Sequence, residues 1–214
     1  MLLTRGTWLS RSLPALRSSR RPSLAPLAVM SSTCNSDHPW PCPTCKQWRT
    51  PSLTVDAGVL RQNEAASLPA DRLEVLLIER ANPPFKGCWA FPGGFLDYGE
   101  APERAVLREL EEECGIVPDA GAAEPRLLAA AGAPDRDPRR HTVTLFYGID
   151  LGPTEKAPVA GDDAAKAQWI PVARILGSGI GDLPEGERLR LAFDHQDLLA
   201  RLLDFHHSGK AADN

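Results

Sequence analysis

The sequence predicts an α/β layered domain, and three features carry that prediction. Short apolar segments punctuated by turn residues run through the middle of the chain, a stretch from residue 102 has the ends and length of a helix, and a second helical pattern closes the sequence. At 214 residues, 43% hydrophobic and 24% charged, the chain is long enough to bury a core without staples. No run approaches the roughly 18 consecutive apolar residues of a membrane span.

The elements follow in order. LTVDAGVL (53–60) alternates like a strand, and RLEVLLIER (72–80) reads as a buried strand ending on charge. Two prolines make ANPPF (81–85) a loop. CWAFPGGF (88–95) is a short aromatic strand broken at Pro92-Gly93-Gly94. A helix is predicted from Pro102, a residue suited to a first turn, to Cys114, where Gly115 stops it. RLLAAAG (126–132), HTVTLFYGID (141–150) and KAQWIPV (166–172) are further strands, the last followed by a Gly/Pro-rich loop. A final helix over 187–205 places Leu191, Leu198, Leu202 and Phe205 at helical spacing. His195 reads as a hydrogen-bonded packing residue on it.

The net charge of −4 hides an asymmetry. Residues 1–36 hold five Arg, eight Ser and no acid, so the remaining chain carries −9. An acidic body argues against nucleic acid and anionic membranes as partners and suits a protein that concentrates cations. The Arg- and Ser-rich head has the composition of an organelle transit peptide, for chloroplast or mitochondrion, and is expected to be disordered. The alternative is a plain basic tail on a cytoplasmic protein. Residues 37–52 form a spacer in which Cys42 and Cys45 have the spacing of half a zinc knuckle, with Cys34 and His38 the nearby ligands, or are an inert remnant. The five cysteines are too few and too scattered for a disulfide scaffold. The domain proper is expected over 53–205, followed by a disordered tail, 206–214.

On the helix at 102–114, Val106, Leu107, Leu110 and Cys114 form an apolar arc. Glu109, Glu112 and Glu113, at i, i+3 and i+4, stripe the surface beside it. Like charges at these spacings repel by about 0.2–0.5 kcal/mol a pair on a bare helix, and partial burial sharpens that. Taken alone the stripe reads as a solvated acidic face. A divalent cation reverses the sign of the interaction, and hard oxygen donors on a rigid helix suit Mg²⁺ or Mn²⁺.

The wider spacing decides between these readings. Gly94, five residues, Glu100, seven residues, then Arg108-Glu109-Leu110-x-Glu112-Glu113-x-Gly115-Ile116 matches the Nudix box at all nine of its defined positions. The chain therefore resembles the Nudix hydrolases. That resemblance implies an α/β/α sandwich with a mixed sheet and metal-dependent hydrolysis of a nucleoside diphosphate linked to another group. It implies that Glu109, Glu112 and Glu113 hold metal, with Glu112 and Glu109 at the catalytic centre. Arg108 would orient a glutamate, and Gly94, Glu100 and Gly115 would shape the motif. Because metals neutralise phosphate oxygens and lower the pKa of bound water, no nucleophilic side chain is required. Cys88 and Cys114 need no catalytic role.

Residues 79–100, 134–147, 161–169 and 191–195 resemble the ADP-ribose pyrophosphatase-like branch. Two departures stand out: Arg140 where that branch usually has glycine, and Lys166 where an acidic residue is usual. Asp162 or Asp163 could take over as base or extra metal ligand. Trp89, Phe91 and Phe95 are candidates to stack on a base. Arg80, Lys86, Arg136, Arg139 and Arg140 are candidates for phosphate or ribose, and His141 is a further substrate-binding candidate. The expected partner is a small-molecule nucleotide, ADP-ribose or similar, split to AMP and a phosphorylated product. A homodimer is the candidate assembly. The alternatives are a hydrolase of oxidised nucleoside triphosphates and a non-catalytic ADP-ribose sensor.

Overall fold

A computed structural model describes residues 41, 48, 50–119, 124–161, 164–177 and 189–212. The chain divides at Arg49/Thr50 into two units, and all regular structure described here lies in the second. The expectations for residues 1–36 and for Cys34, His38, Cys42 and Cys45 lie outside the described residues.

Seven strands form one mixed sheet: β1 (Ser52–Gln62), β2 (Leu73–Arg80), β3 (Trp89–Ala90), β4 (Gly93–Phe95), β5 (Arg126–Ala131), β6 (Thr142–Pro153) and β7 (Ala164–Pro171). Among the described residues three α-helices accompany them: α1 (Pro102–Cys114), α2 (Val172–Leu176) and α3 (His195–Ala212). β1 is the spine. One edge pairs in parallel with β6 from Ser52↔Thr142 to Gln62↔Pro153, and β5 adds antiparallel beyond it. The other edge is shared: Thr54–Asp56 pair with β4, and Leu60–Gln62 pair with β2. β2 carries β7 on its far edge and short β3 on its near one. β1 and β2 thus diverge like a fork, and residues 89–95 wedge between the tines, tied by the Ala57 N–H to Pro92 O bond of 2.8 Å.

Side chains alternate across the sheet, as a strand period of two requires. Val55, Ala57, Val59, Leu76 and Ile78 face α1, where Val106, Leu110 and Cys114 complete a buried cluster. Leu60, Val75, Leu77 and Phe146 face the opposite way, against Leu198, Leu199 and Leu202 of α3. Helices on both faces make the expected α/β/α sandwich.

Three boundaries differ from the sequence prediction. The last helix begins at His195 rather than 187, because the segment before it is strapped to β3: Trp89 N–H bonds Arg190 O at 2.8 Å, and Ala192 N–H bonds Trp89 O at 2.7 Å. Leu191 therefore sits in a bridge opposite Trp89, not on the helix. The same helix continues through residues 206–212, where a tail was expected. His206 anchors it, with Nδ1 2.9 Å from Asp150 Oδ2. The loop expected after β7 starts instead with the five-residue α2, closed by Gly177 in the left-handed region.

Candidate active site

α1 is placed by its two ends. Pro102 occupies the first turn, where its missing N–H costs nothing. Gly115 (φ 63°) ends the helix in a left-handed conformation that glycine adopts without strain. The last carbonyls are not orphaned: Cys114 O accepts from Val159 N at 2.8 Å, and Glu113 O accepts from Gly161 N at 3.1 Å. Gly161 lies so close to Glu112 O that no side chain would fit there. The apolar arc is then locked in the core, and the carboxylate stripe faces the loop that follows β4.

Arg108 organises that stripe. Its Nε and Nη2 form a fork onto Glu100, both bonds 2.9 Å. Nη1 reaches Glu109 Oε1 at 2.8 Å and Glu112 Oε2 at 3.0 Å, and Nη2 also meets Phe95 O. These charge-assisted bonds hold the Glu100 carboxyl below, and the guanidinium above, their ordinary pKa values. Glu109 goes the other way, raised chiefly by burial. Glu113 is pushed up to about 8 by burial and by the charges of Glu109 and Asp56, although Gly93 N–H donates to its Oε2 at 2.8 Å. A Cβ on Gly94 would fall on the Glu109 carboxylate, so the motif glycine is a packing requirement.

The cleft opened by the forked sheet has a volume of about 180 Å³. Glu113, Gly93 and Gly94 line it, together with Asp56, Arg80, Phe91, Phe95, Arg136, Asp137, Arg139, Phe193 and His195. Two of its arginines are internally compensated. Arg136 forks onto Asp194, and Arg139 forks onto Asp137 at 3.0 and 2.8 Å. Arg80 Nε donates to Pro84 O at 2.9 Å, while burial and the nearby Arg139 lower its pKa. Phe193 has a positive φ of 52°, a strained state for a bulky residue. It packs edge-on to Phe85 and lies within about 6 Å of all three guanidiniums.

The structure brings Gly94, Glu100, Arg108, Glu109, Glu112, Glu113 and Gly115 together and adds Arg80 and Arg139 across the cleft. It does not bring in two others. Trp89 packs with the cluster beneath α3 and is not among the cleft-lining residues. His141 is exposed, with Nε2 3.1 Å from Gly132 O. Lys166 stands opposite Glu79 on β2, Nζ 2.6 Å from Oε2, likewise away from the lining. Asp162 and Asp163 lie outside the described residues; Gly161, just before them, is bonded to the end of α1. Asp56 and Asp137 were not singled out from the sequence, although a carboxylate inside the apolar run LTVDAGVL was an available signal.

Among the described residues no three His, Cys, Asp or Glu side chains form a ready-made cation cage, because Arg108 holds Glu109 and Glu112. The donor chemistry nevertheless fits a hard divalent cation. Three carboxylates share one helix face, two are raised in pKa chiefly by burial, and Glu112, paired with Arg108, is half exposed.

Comparison with known proteins agrees. An ADP-ribose pyrophosphatase of Methanocaldococcus jannaschii is 36% identical over 149 residues, covering 70% of this chain and 71% of the relative. An ADPR-responsive transcriptional repressor, NtrR, of Acinetobacter baylyi is 32% identical over 70% of this chain, which spans about half (52%) of that protein. The solved NUDIX domain of Shewanella oneidensis NrtR, in complex with ADP ribose, aligns with a TM-score of 0.59 at 30% identity, over 73% of this chain and 89% of that one. The NUDIX domain model itself matches residues 53–194, and the chain belongs to the NUDIX family.

Proposed function

We propose that this protein hydrolyses the pyrophosphate bond of ADP-ribose, or of a closely related nucleoside diphosphate derivative, to AMP and a phosphorylated product. Mg²⁺ or Mn²⁺ would be held by Glu109, Glu112 and Glu113. The observation that carries this reading is that Glu113 lines the same cleft as Arg80, so the carboxylate stripe meets the recess at its Glu113 end. When bound, the cation neutralises phosphate oxygens and activates water. The chain supplies the rest. Arg108 keeps Glu109 and Glu112 oriented, Gly94 lets the phosphate-facing loop lie against Glu109, and Arg80 offers a cation to the diphosphate. Asp162 and Asp163 are the candidates for a base or an added metal ligand.

The M. jannaschii pyrophosphatase and the ADP-ribose complex of the NrtR domain support ADP-ribose as the ligand. The same complex favours a second reading, a sensor that binds ADP-ribose without cleaving it. A hydrolysis screen with Mg²⁺ and Mn²⁺ over ADP-ribose, NADH, FAD, diadenosine polyphosphates and oxidised nucleoside triphosphates tests both. AMP and ribose phosphate from ADP-ribose support the proposal. A nucleoside monophosphate and pyrophosphate from a triphosphate transfer it to the other hydrolase class. Tight binding of ADP-ribose with no turnover makes the protein a sensor. We further propose that residues 1–36 direct import into an organelle, tested by N-terminal sequencing of the mature protein.

A further inference from the structure

Two buried groups on the cleft floor are left unused by the carboxylate stripe. Asp56, in the middle of β1, and His195, at the start of α3, both line the cleft and are 9% and 2% exposed. Each has one polar atom committed and one to spare. Asp56 Oδ2 accepts from Thr144 Oγ1 at 2.6 Å, while Oδ1 lies beside Gly93, where the missing Cβ leaves it room. His195 Nδ1 accepts the Phe91 N–H at 3.1 Å, which leaves the ring proton of the neutral imidazole on Nε2. Nε2 stands 3.9 Å from Asp56 Oδ1, beyond hydrogen-bond reach. The floor therefore presents a donor and an acceptor side by side, neither satisfied by a protein group among the described residues.

Burial holds the imidazole below its ordinary pKa, against the pull of Asp56 and Asp194, so the neutral form is the working one. Phe91 and Phe193 flank it with ring centroids at 5.2 and 5.4 Å, so two aromatic rings stand beside the imidazole. Such a pair does not suit a single hydroxyl, onto which two bonds of about 2.9 Å would have to close to roughly a right angle. It suits two adjacent atoms of a planar edge, one a donor and one an acceptor.

We propose that Asp56 and His195 read the Watson–Crick edge of the substrate's base and select an amino group beside a ring-nitrogen acceptor. Asp56 Oδ1 accepts from the exocyclic amine, and His195 Nε2–H donates to the ring nitrogen. Adenine and cytosine carry that order; hypoxanthine, guanine and uracil carry its reverse. The inference rests on the reading of this cleft as a nucleotide site and adds which bases it admits.

Calorimetry on the full chain, in chelator and without turnover, tests it with AMP, CMP, IMP and 1-deaza-AMP. AMP should bind about tenfold more tightly than IMP, and 1-deaza-AMP, which keeps the amine but lacks the ring acceptor, about tenfold more weakly than AMP. CMP separates the two bases that share the edge: binding weaker than AMP assigns adenine, and tighter assigns cytosine. Asp56→Asn, which can still pair with Thr144, should collapse the AMP-to-IMP ratio. Equal binding of AMP and IMP by the wild-type chain overturns the proposal, as does a ratio that Asp56→Asn leaves unchanged. Hydrolysis without base discrimination sinks this inference alone. Discrimination without hydrolysis sinks the proposed reaction and leaves this one standing.

Discussion

Glu113→Gln should make the metal-free protein more stable and remove much of its sensitivity to alkali. Glu113 is 8% exposed, and among the described residues its one hydrogen-bond donor is the Gly93 N–H. With the carboxyl pushed up to about 8, its neutral form is the one the fold prefers. The corresponding stability is complete below the ordinary value of 4.5 and is lost as the pH climbs through about 8. At about 1.4 kcal/mol per pKa unit the rise corresponds to about 5 kcal/mol, which relaxation of the ionised group toward cleft water trims to about 2–3 kcal/mol. Glutamine keeps the acceptor for Gly93 and carries no charge. Urea unfolding in chelator at about pH 5 and about pH 9 should therefore show the wild type losing about 2–3 kcal/mol more than the variant. Mg²⁺ at the higher pH should restore most of that loss in the wild type by binding only the folded state. Parallel pH profiles for the two proteins would refute the reasoning, because Glu113 would then ionise at no cost.

Three further substitutions separate the roles along the motif. Glu112→Gln removes a half-exposed carboxylate whose partner is Arg108, so stability should move by no more than about 0.5 kcal/mol. Its turnover should fall by at least about a hundredfold, and a kcat near wild type would take Glu112 out of the metal set. Lys166→Glu sets two glutamates directly opposite each other on β2 and β7 and should cost about 0.5–1 kcal/mol. Melting and kinetics together check it, since a gain in metal-dependent activity would mean that the position serves the chemistry after all. Gly94→Ala drives a methyl group onto the Glu109 carboxylate. A displacement of about 1 Å there should reduce kcat by about a hundredfold, and an unchanged kcat would show that the loop can yield.

The parts of the fold that the sequence announces are those whose signals are local. The alternation Val75/Leu77 against Leu76/Ile78 identifies β2 and its two faces, and Pro102 and Gly115 bracket α1 to the residue. The start of α3 has no such signal. Leu191 and Leu198 are compatible with one helical stripe, but the backbone of Arg190 and Ala192 is taken by Trp89, a residue some hundred positions away. Nothing in HHSGKAADN announces a folded helix end either, because the stabilising partner of His206 is Asp150 on β6.

The same distinction divides the site. The carboxylate machinery fits within Gly94–Ile116, and one helix and one loop deliver all of it, so spacing alone exposes it. The cleft is assembled from β1, the end of β2 and the loop after it, the β3–β4 wedge, Glu113 of α1, the turn before β6 and the start of α3. Chemical type could nominate Trp89 and His141 for it, but only the strand wedge decides that Ala90 and Phe91 line the cleft while Trp89 packs beneath α3. Arg139, chosen for its charge, arrives already neutralised by Asp137; Asp56, passed over inside an apolar strand, arrives with an oxygen to spare. The carboxylates of α1 and its leading loop are one local unit, whereas the rest of the cleft depends on where β1 and β2 part and on what α3 brings to the gap. The reaction class is therefore written in adjacent residues, and the substrate in residues that only the forked sheet makes neighbours.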